Sequence, residues 1–504
     1  MLPRRRFCAL PSIFLILFGF LAPAGSAEGL KLTAVDKTSD APVPARMILS
    51  RADGRQQVVR RTVSSGIGFV LQPEQRIAVP PGNYNFQVIR GPEYRIITGN
   101  FLLERGGVDL SLVQLPRMVD LSAEGWWSGD AAARGAADVL PLLMQSEDLH
   151  YLGHVQPERG KRVLSDRPLP VGGMDADWGP LAIRSDLAAD GHGLLLVGVP
   201  EGFSIPDSNP SSDTIRVAVQ RQIPTIVIED PFAWDLPIWL ASDRISAIFV
   251  LGDWLRLDHT VDKIRVGRPP TEVGYTDALG PGRWAEQIYW KLLDAGLKIP
   301  PLAGSGSQVA SHPVGYNRTY VWSPDTTPTI AEWWQLALAG HSVLTNGPLL
   351  RPTLGGEPPG HRFQATQGEV LELGIELNLA VRDPVDYLEV IHNGEVYYSA
   401  RLEEFAGAGG MIRPLRVEAS GWVLVRVVTM HEEHFRAAIS APWYIDFDGQ
   451  PRIVADAVEF FRKWLTEREA MLSKLPSEQR QQHARFVTAA RKFWQRQADR
   501  AAAP

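Results

Sequence analysis

Acidic residues and one histidine fall where short apolar runs begin or end. Asp130 closes Gly125-Trp-Trp-Ser-Gly-Asp130, Glu229 and Asp230 follow a run ending at Ile228, Asp253 follows one ending at Leu251, and His192 precedes one starting at Leu194. Carboxylates and an imidazole can hold a divalent ion, and such an ion can activate a bound water. Glu229 and Asp230, with His192 beside them, are the set that could do catalysis in this way. The plainer reading gives Asp230 and Asp253 to helix caps or loop ties and His192 to a satisfied turn. A third reading gives them all to a ligand pocket without catalysis. Arg134 adds a fixed cation that could neutralise Asp130, Glu229 or Asp230, or bind a phosphate or carboxylate. The internal pair is preferred. Arg318, in Gly315-Tyr-Asn-Arg318, could line the same mouth or be structural. The chain holds 15 tryptophans, and Trp126, Trp127, Trp178, Trp234, Trp239 and Trp254 lie in this same stretch. Core packing is the usual reason for a tryptophan, but an indole face also stacks on sugars and cations. Trp234 and Trp239, beside Asp230 and Asp235, are the best pocket walls.

The elements that must position these groups change character along the chain. Residues 28–118 alternate strand-like runs, such as Tyr84-Asn-Phe-Gln-Val-Ile89, with turn signals at Asp53-Gly54, Pro80-Pro81-Gly82 and Gly106-Gly107, which favours a small β-sandwich. Residues 119–347 alternate helices with apolar strands at Leu194–Val199, Thr225–Ile228 and Ala247–Leu251. Runs so uniformly apolar fit parallel strands covered on both faces, so an α/β barrel or a doubly wound sheet is expected. Asp138 is placed to cap a helix with Pro141 in its first turn and Leu149 on its apolar side, and Trp284 to Leu297 reads as a second helix ending near Gly296. Residues 348–448 return to strand patterning and read as a second β-sandwich. Residues 449–504 read as a helical tail, with Val458, Phe461, Trp464 and Leu465 on one stripe and Phe486, Ala490 and Trp494 on another.

Several segments line up in order: Arg90-Gly-Pro-Glu-Tyr94, Gly125-Trp-Trp-Ser-Gly-Asp130, Pro231-Phe-Ala-Trp-Asp-Leu-Pro-Ile-Trp-Leu-Ala241, Pro301-Leu-Ala-Gly-Ser305, Pro313-Val-Gly-Tyr-Asn-Arg-Thr-Tyr-Val321 and Thr345-Asn-Gly-Pro-Leu349. Together they resemble the CehA/McbA-type metallohydrolases of the PHP superfamily, over about residues 80 to 470. The resemblance implies a distorted (β/α)7 barrel, flanked here by the two β-sandwich modules. It also implies one to three divalent metals at the strand C-termini and hydrolysis of phosphate esters by a metal-bound hydroxide. This chain departs from the implied ligand set. Ala132 and Arg134 stand where a His-x-His pair is implied, and Gly306 and Gln308 stand where an aspartate and a histidine are implied. A methyl, a hydrogen and a guanidinium give a metal no lone pair, and the guanidinium repels it. No metal cofactor is therefore expected. Mn, Fe or Zn would be the cofactor if the alternative, a hydrolase with substituted ligands, holds.

The ends and the composition set the setting. Arg4, Arg5 and Arg6, the apolar stretch from Ala9 to Leu21, and Gly25-Ser26-Ala27 form an expected signal peptide over residues 1–27. The expectation is an exported protein, periplasmic or extracellular, with no membrane contact once the leader is cleaved. The one cysteine, Cys8, lies in that leader, which leaves no disulfide or cysteine metal site in the mature chain. The net charge of −6 gives no basic face for nucleic acid. The reading is a PHP-like binding or scaffold protein that has lost its hydrolase activity and takes an unknown small-molecule or glycan ligand, with a carbohydrate-binding protein as a further alternative. Asn317-Arg-Thr319 fits a glycosylation pattern and is read as accidental.

Overall fold

The computed structural model describes residues 29–73, 75–104, 108–155, 181–205, 210–257, 266–270, 275–306 and 312–502. The expected leader, Trp178 and Gln308 lie outside them. Near the N-terminus two sheets face each other. In one, Gly29–Asp36 lies between Arg76–Ile77 and Val108–Leu115; in the other, Ala45–Arg51 and Gly82–Ile89 are central. The Gly82–Ile89 strand alternates as its sequence demands, with Tyr84, Phe86 and Val88 inside against Leu30, Leu32 and Leu115.

The central sheet takes its strands in chain order: Trp126–Ala133, Tyr151–Val155, Ala182–Ala189, Leu194–Val197, Thr225–Ile228, Ala247–Leu251 and Pro301–Ala303. The expectation of parallel pairing needs one correction. Leu194–Val197 runs antiparallel to both neighbours. Only Asp190 to Gly193 link it to the preceding strand, too short a connection for a parallel crossover. The tight turn is closed by Asp190, whose Oδ1 accepts from the backbone of His192, Gly193 and Leu194 at 2.8, 3.0 and 2.9 Å. Gly191 and Gly193 take φ of 75° and 118° there.

No ladder of backbone bonds among the described residues joins the last of these strands to the first. Instead Gly306 N donates to Ala132 O at 2.6 Å. The Thr319 hydroxyl takes the Ala303 N–H at 2.9 Å and donates to the Ala303 carbonyl at 3.3 Å. The sheet curls until its ends meet across a side chain. The architecture is thus mixed α/β with one large curled sheet.

That sheet does not stop at the expected boundary. Arg318–Trp322 adds antiparallel to the Trp126 strand, then Ser342–Thr345, then Ala437–Ser440, Gly421–Thr429 and Val385–His392. The C-terminal β region is one extension of the central sheet with a second layer packed over Val390, Val425 and Trp443. The helix expected from Asp138 spans Leu140–Ser146, with Val139 at its N-cap, no side-chain cap bond, and Pro141 in its first turn. Leu149 lies beyond it. The second expected helix spans Gly280–Asp294, opening earlier than Trp284 because Pro281 suits a first turn.

The tail forms two helices, Ala455–Leu472 and Ser477–Ala501. The first expected stripe is buried throughout; on the second, Ala490 and Trp494 are buried and Phe486 is half-buried. Phe461 stacks on Trp494 at 4.8 Å, and Trp494 Nε1 donates to the Pro237 carbonyl at 2.9 Å. The tail is therefore part of the main core. Among the described residues no helix is long and apolar enough to cross a membrane.

Candidate functional site

Six of the seven curled strands point one way, so their C-terminal ends gather on one side; the reversed Leu194 strand brings its preceding turn to that same side. This is why His192, which precedes its strand, joins groups that follow theirs. Arg134, His192, Glu229, Asp230, Trp234, Trp239, Asp253 and Gly306 line one cavity of about 840 Å³.

Arg134 occupies its floor. Its Nη1 donates to Glu229 Oε1 at 2.6 Å and its Nη2 to Glu229 Oε2 at 2.7 Å, a parallel two-bond fork. Nη1 also donates to the Gly306 carbonyl. The side chains are 22% and 8% exposed. Burial works against the guanidinium charge, but Glu229, then Asp253 and Asp130, hold its proton more firmly than usual.

The two glycines are required by close approach. A side chain at Gly193 would meet Asp230 Cβ at 2.7 Å, and one at Gly306 (φ 62°) would meet Asp253 Cβ at 3.0 Å. An aspartate at position 306 would thus be strained and crowded. Asp230 Oδ1 accepts the Phe232 N–H at 2.9 Å, which ties the turn after its strand.

Two residues expected at this mouth are placed elsewhere. Asp130 is fully buried and does not line the cavity. Its carboxylate accepts backbone N–H groups from Gly315 at 2.8 Å, Ser305 at 2.9 Å and, within its own strand, Ala132 at 3.2 Å, and so pins the two loops at 305 and 315. Burial pushes its pKa up to about 6 despite those donors. Arg318 is buried too, donating to the carbonyls of Gly315 at 2.6 Å and Glu147 at 3.1 Å. It ties the loop at Gly315 to the segment that follows the Leu140–Ser146 helix. Asn317 is likewise buried, its amide donating to Gly252 O at 2.8 Å, so it presents no acceptor for a glycan.

The tryptophans divide. Trp126, Trp127 and Trp254 are core residues, Trp254 packing edge-on to Phe232 at 5.1 Å. Trp239 reaches the cavity but is 1% exposed, and its Nε1 donates to Ser211 Oγ at 3.0 Å. Trp234 is half-buried.

Sequence reading missed part of the wall. Ser211, Asp235, Arg256 and Arg468 also line the cavity. Ser211 donates to Asp235, and Arg468 Nε, from the tail helix, donates to the same carboxylate at 2.6 Å. A second cavity of about 240 Å³ adjoins the first through His192, Ser211, Asp235 and Arg468, and adds Gln479, Gln482 and His483. Position on the polar side of an amphipathic helix was the one signal for Arg468, and it does not separate a pocket group from a solvated one.

The residues present do not fit the metal that the resemblance implies. Ala132 is buried with its methyl in the core, Gly306 offers only a carbonyl already bonded to Arg134, and both oxygens of Glu229 are taken by a cation that cannot be titrated away. Among the described residues no group of three or more His, Cys, Asp or Glu is arranged to hold a metal ion. Set against known protein families, curated proteins and solved structures, the chain gives no match in any of the three.

Proposed function

We propose that the chain is a PHP-like barrel protein, exported by its leader, in which the Arg134–Glu229 ion pair stands in place of the metal centre, and that it works as a binding protein without hydrolase activity. The observation that carries this is the fork of Arg134 on Glu229. With a lone pair on each oxygen held by the guanidinium, Glu229 is a poorer metal ligand and a weaker general base than a free carboxylate. A guanidinium remains charged at any pH the protein meets, so the floor is fixed as a neutral pair. The neighbouring cavity is of the size that takes a small organic molecule.

Metal analysis of the purified mature chain, with turnover of a phosphodiester such as bis-(p-nitrophenyl) phosphate measured on the same sample, tests the proposal. The expected result is metal well below stoichiometric and no turnover that a chelator abolishes. Stoichiometric Mn, Fe or Zn, with turnover lost in Asp230→Ala, would establish the hydrolase instead.

A further inference from the structure

We infer that the two adjoining cavities together take a neutral oligosaccharide, with one sugar ring against Trp234 and the chain running past Arg468 toward the first turns of the Ser477–Ala501 helix. The inference rests on the reading of the cavity as a binding site and names the ligand class.

Shape is the first argument. The larger cavity, about 840 Å³, and the smaller, about 240 Å³, share His192, Ser211, Asp235 and Arg468. A ligand that fills both is elongated rather than one compact group. The smaller cavity is walled on the tail side by Gln479, Gln482 and His483, in the first two turns of the last helix.

Charge is the second. The larger cavity presents Arg134, Arg256 and Arg468 against Glu229, Asp230, Asp235 and Asp253. Three cations facing four carboxylates leave little net field. Arg134 is engaged by Glu229, and Arg468 by Asp235, each at 2.6 Å. A charged ligand would compete with an internal partner that is already in place and oriented. A hydroxyl group, which donates and accepts at once, can join such a pair without breaking it.

The lining chemistry is the third. Carboxylate, guanidinium and amide groups each offer two coplanar hydrogen-bonding positions, a match for the vicinal hydroxyls of a sugar. Trp234, half-buried and lining the cavity, supplies an aromatic surface for the apolar face of a sugar ring. Trp239 does not compete for this role, since it is 1% exposed with its N–H committed to Ser211.

Calorimetric titration tests this with cello-, malto- and fully N-acetylated chito-oligosaccharides, each from the monosaccharide to the hexasaccharide. Oligogalacturonate and spermidine serve as the anionic and cationic probes. At least one neutral series is expected to bind, tightening by about tenfold or more with chain length. Trp234→Ala should weaken the best neutral ligand by about tenfold or more, and Gln482→Ala should weaken the longer members several-fold while leaving the monosaccharide unchanged. Melting curves of both variants matching the parent show that the fold is intact. Binding of only the charged probes, no binding of any neutral member, or unchanged affinity in Trp234→Ala overturns the inference. Metal content of the same preparation separates the two claims. A metal-free protein that ignores every neutral sugar sinks only the ligand assignment, whereas a metal-loaded one sinks the binding-protein reading whatever sugars do.

Discussion

At the cavity floor one arginine meets one carboxylate beside open space, whereas between the N-terminal sandwich and the central sheet a closed network of charges is shared among several partners. There Arg46 pairs with Glu147 at 2.6 Å, with side chains 5% and 4% exposed. Arg90 and Arg117 hold the two oxygens of Asp148 at 2.7 and 2.5 Å, and Arg117 also reaches Glu93 at 3.4 Å. The carboxylates at 147 and 148 come from the chain just after the Leu140–Ser146 helix, and Arg46 and Arg90 come from the sandwich. The junction is a clamp between modules, in which one carboxylate answers two cations. At the cavity, by contrast, Arg134 is held by one carboxylate and one backbone carbonyl, with no second cation on Glu229 to match the paired arginines of Asp148 in the ion pairs described. Buried charge alone therefore does not mark a functional site; what faces the charge does.

Four outcomes sharpen that contrast. Asp148→Ala takes the carboxylate from the enclosed Arg90 and loosens Arg117, which keeps Glu93 and Asp120, and should cost about 3–5 kcal/mol, the largest effect, read by denaturant unfolding. Arg134→Ala strands only Glu229, beside a cavity that admits water, and should cost about 2 kcal/mol in the same assay. Equal losses at the two sites would erase the distinction.

The third outcome concerns pH. Burial, then the charge of Asp148, pushes Glu93 from 4.5 up to about 7. Both carboxylates compete for Arg117, and Asp148 prevails because Arg90 also holds it, which keeps its own pKa well below the usual range despite burial. A carboxyl whose pKa is raised by folding favours the folded state fully below its unfolded pKa. That contribution is lost as pH climbs through the folded value. Stability should therefore decline between about pH 4.5 and pH 7 from this group, and Glu93→Gln should flatten that part of the profile. An unchanged slope in the variant contradicts the assignment. The smallest effect is expected for the double variant Arg134→Met with Glu229→Gln, within about 1 kcal/mol of the parent, because a buried pair removed whole leaves no stranded charge.

How much of this was legible in the sequence differs from residue to residue. Arg134 stood in a position where a fixed cation needs an anion, so a pair was foreseeable, but three carboxylates competed for it. Asp130 lost because it is enclosed by backbone N–H donors, an arrangement that no local sequence signal announces. The apolar runs announced covered strands, yet Leu194–Val197 reads the same in either direction, and only the short Asp190–Gly193 connection carried its reversal. The tail stripes at Val458 and Trp494 announced docking helices; which face of the body they cover, and hence the arrival of Arg468 at the cavity, depended on tertiary packing. The continuity of the sheet through Ser342–Thr345 into Ala437–Ser440 joins strands far apart in the chain, beyond what periodicity registers.

The central claim, that a guanidinium has taken the place of a metal, is tested most directly by the melting temperature of the purified protein titrated with manganese. A ligand that binds only the folded chain must raise that temperature as its concentration rises. The account predicts a flat line. A steady upward shift that Asp230→Ala abolishes would contradict it.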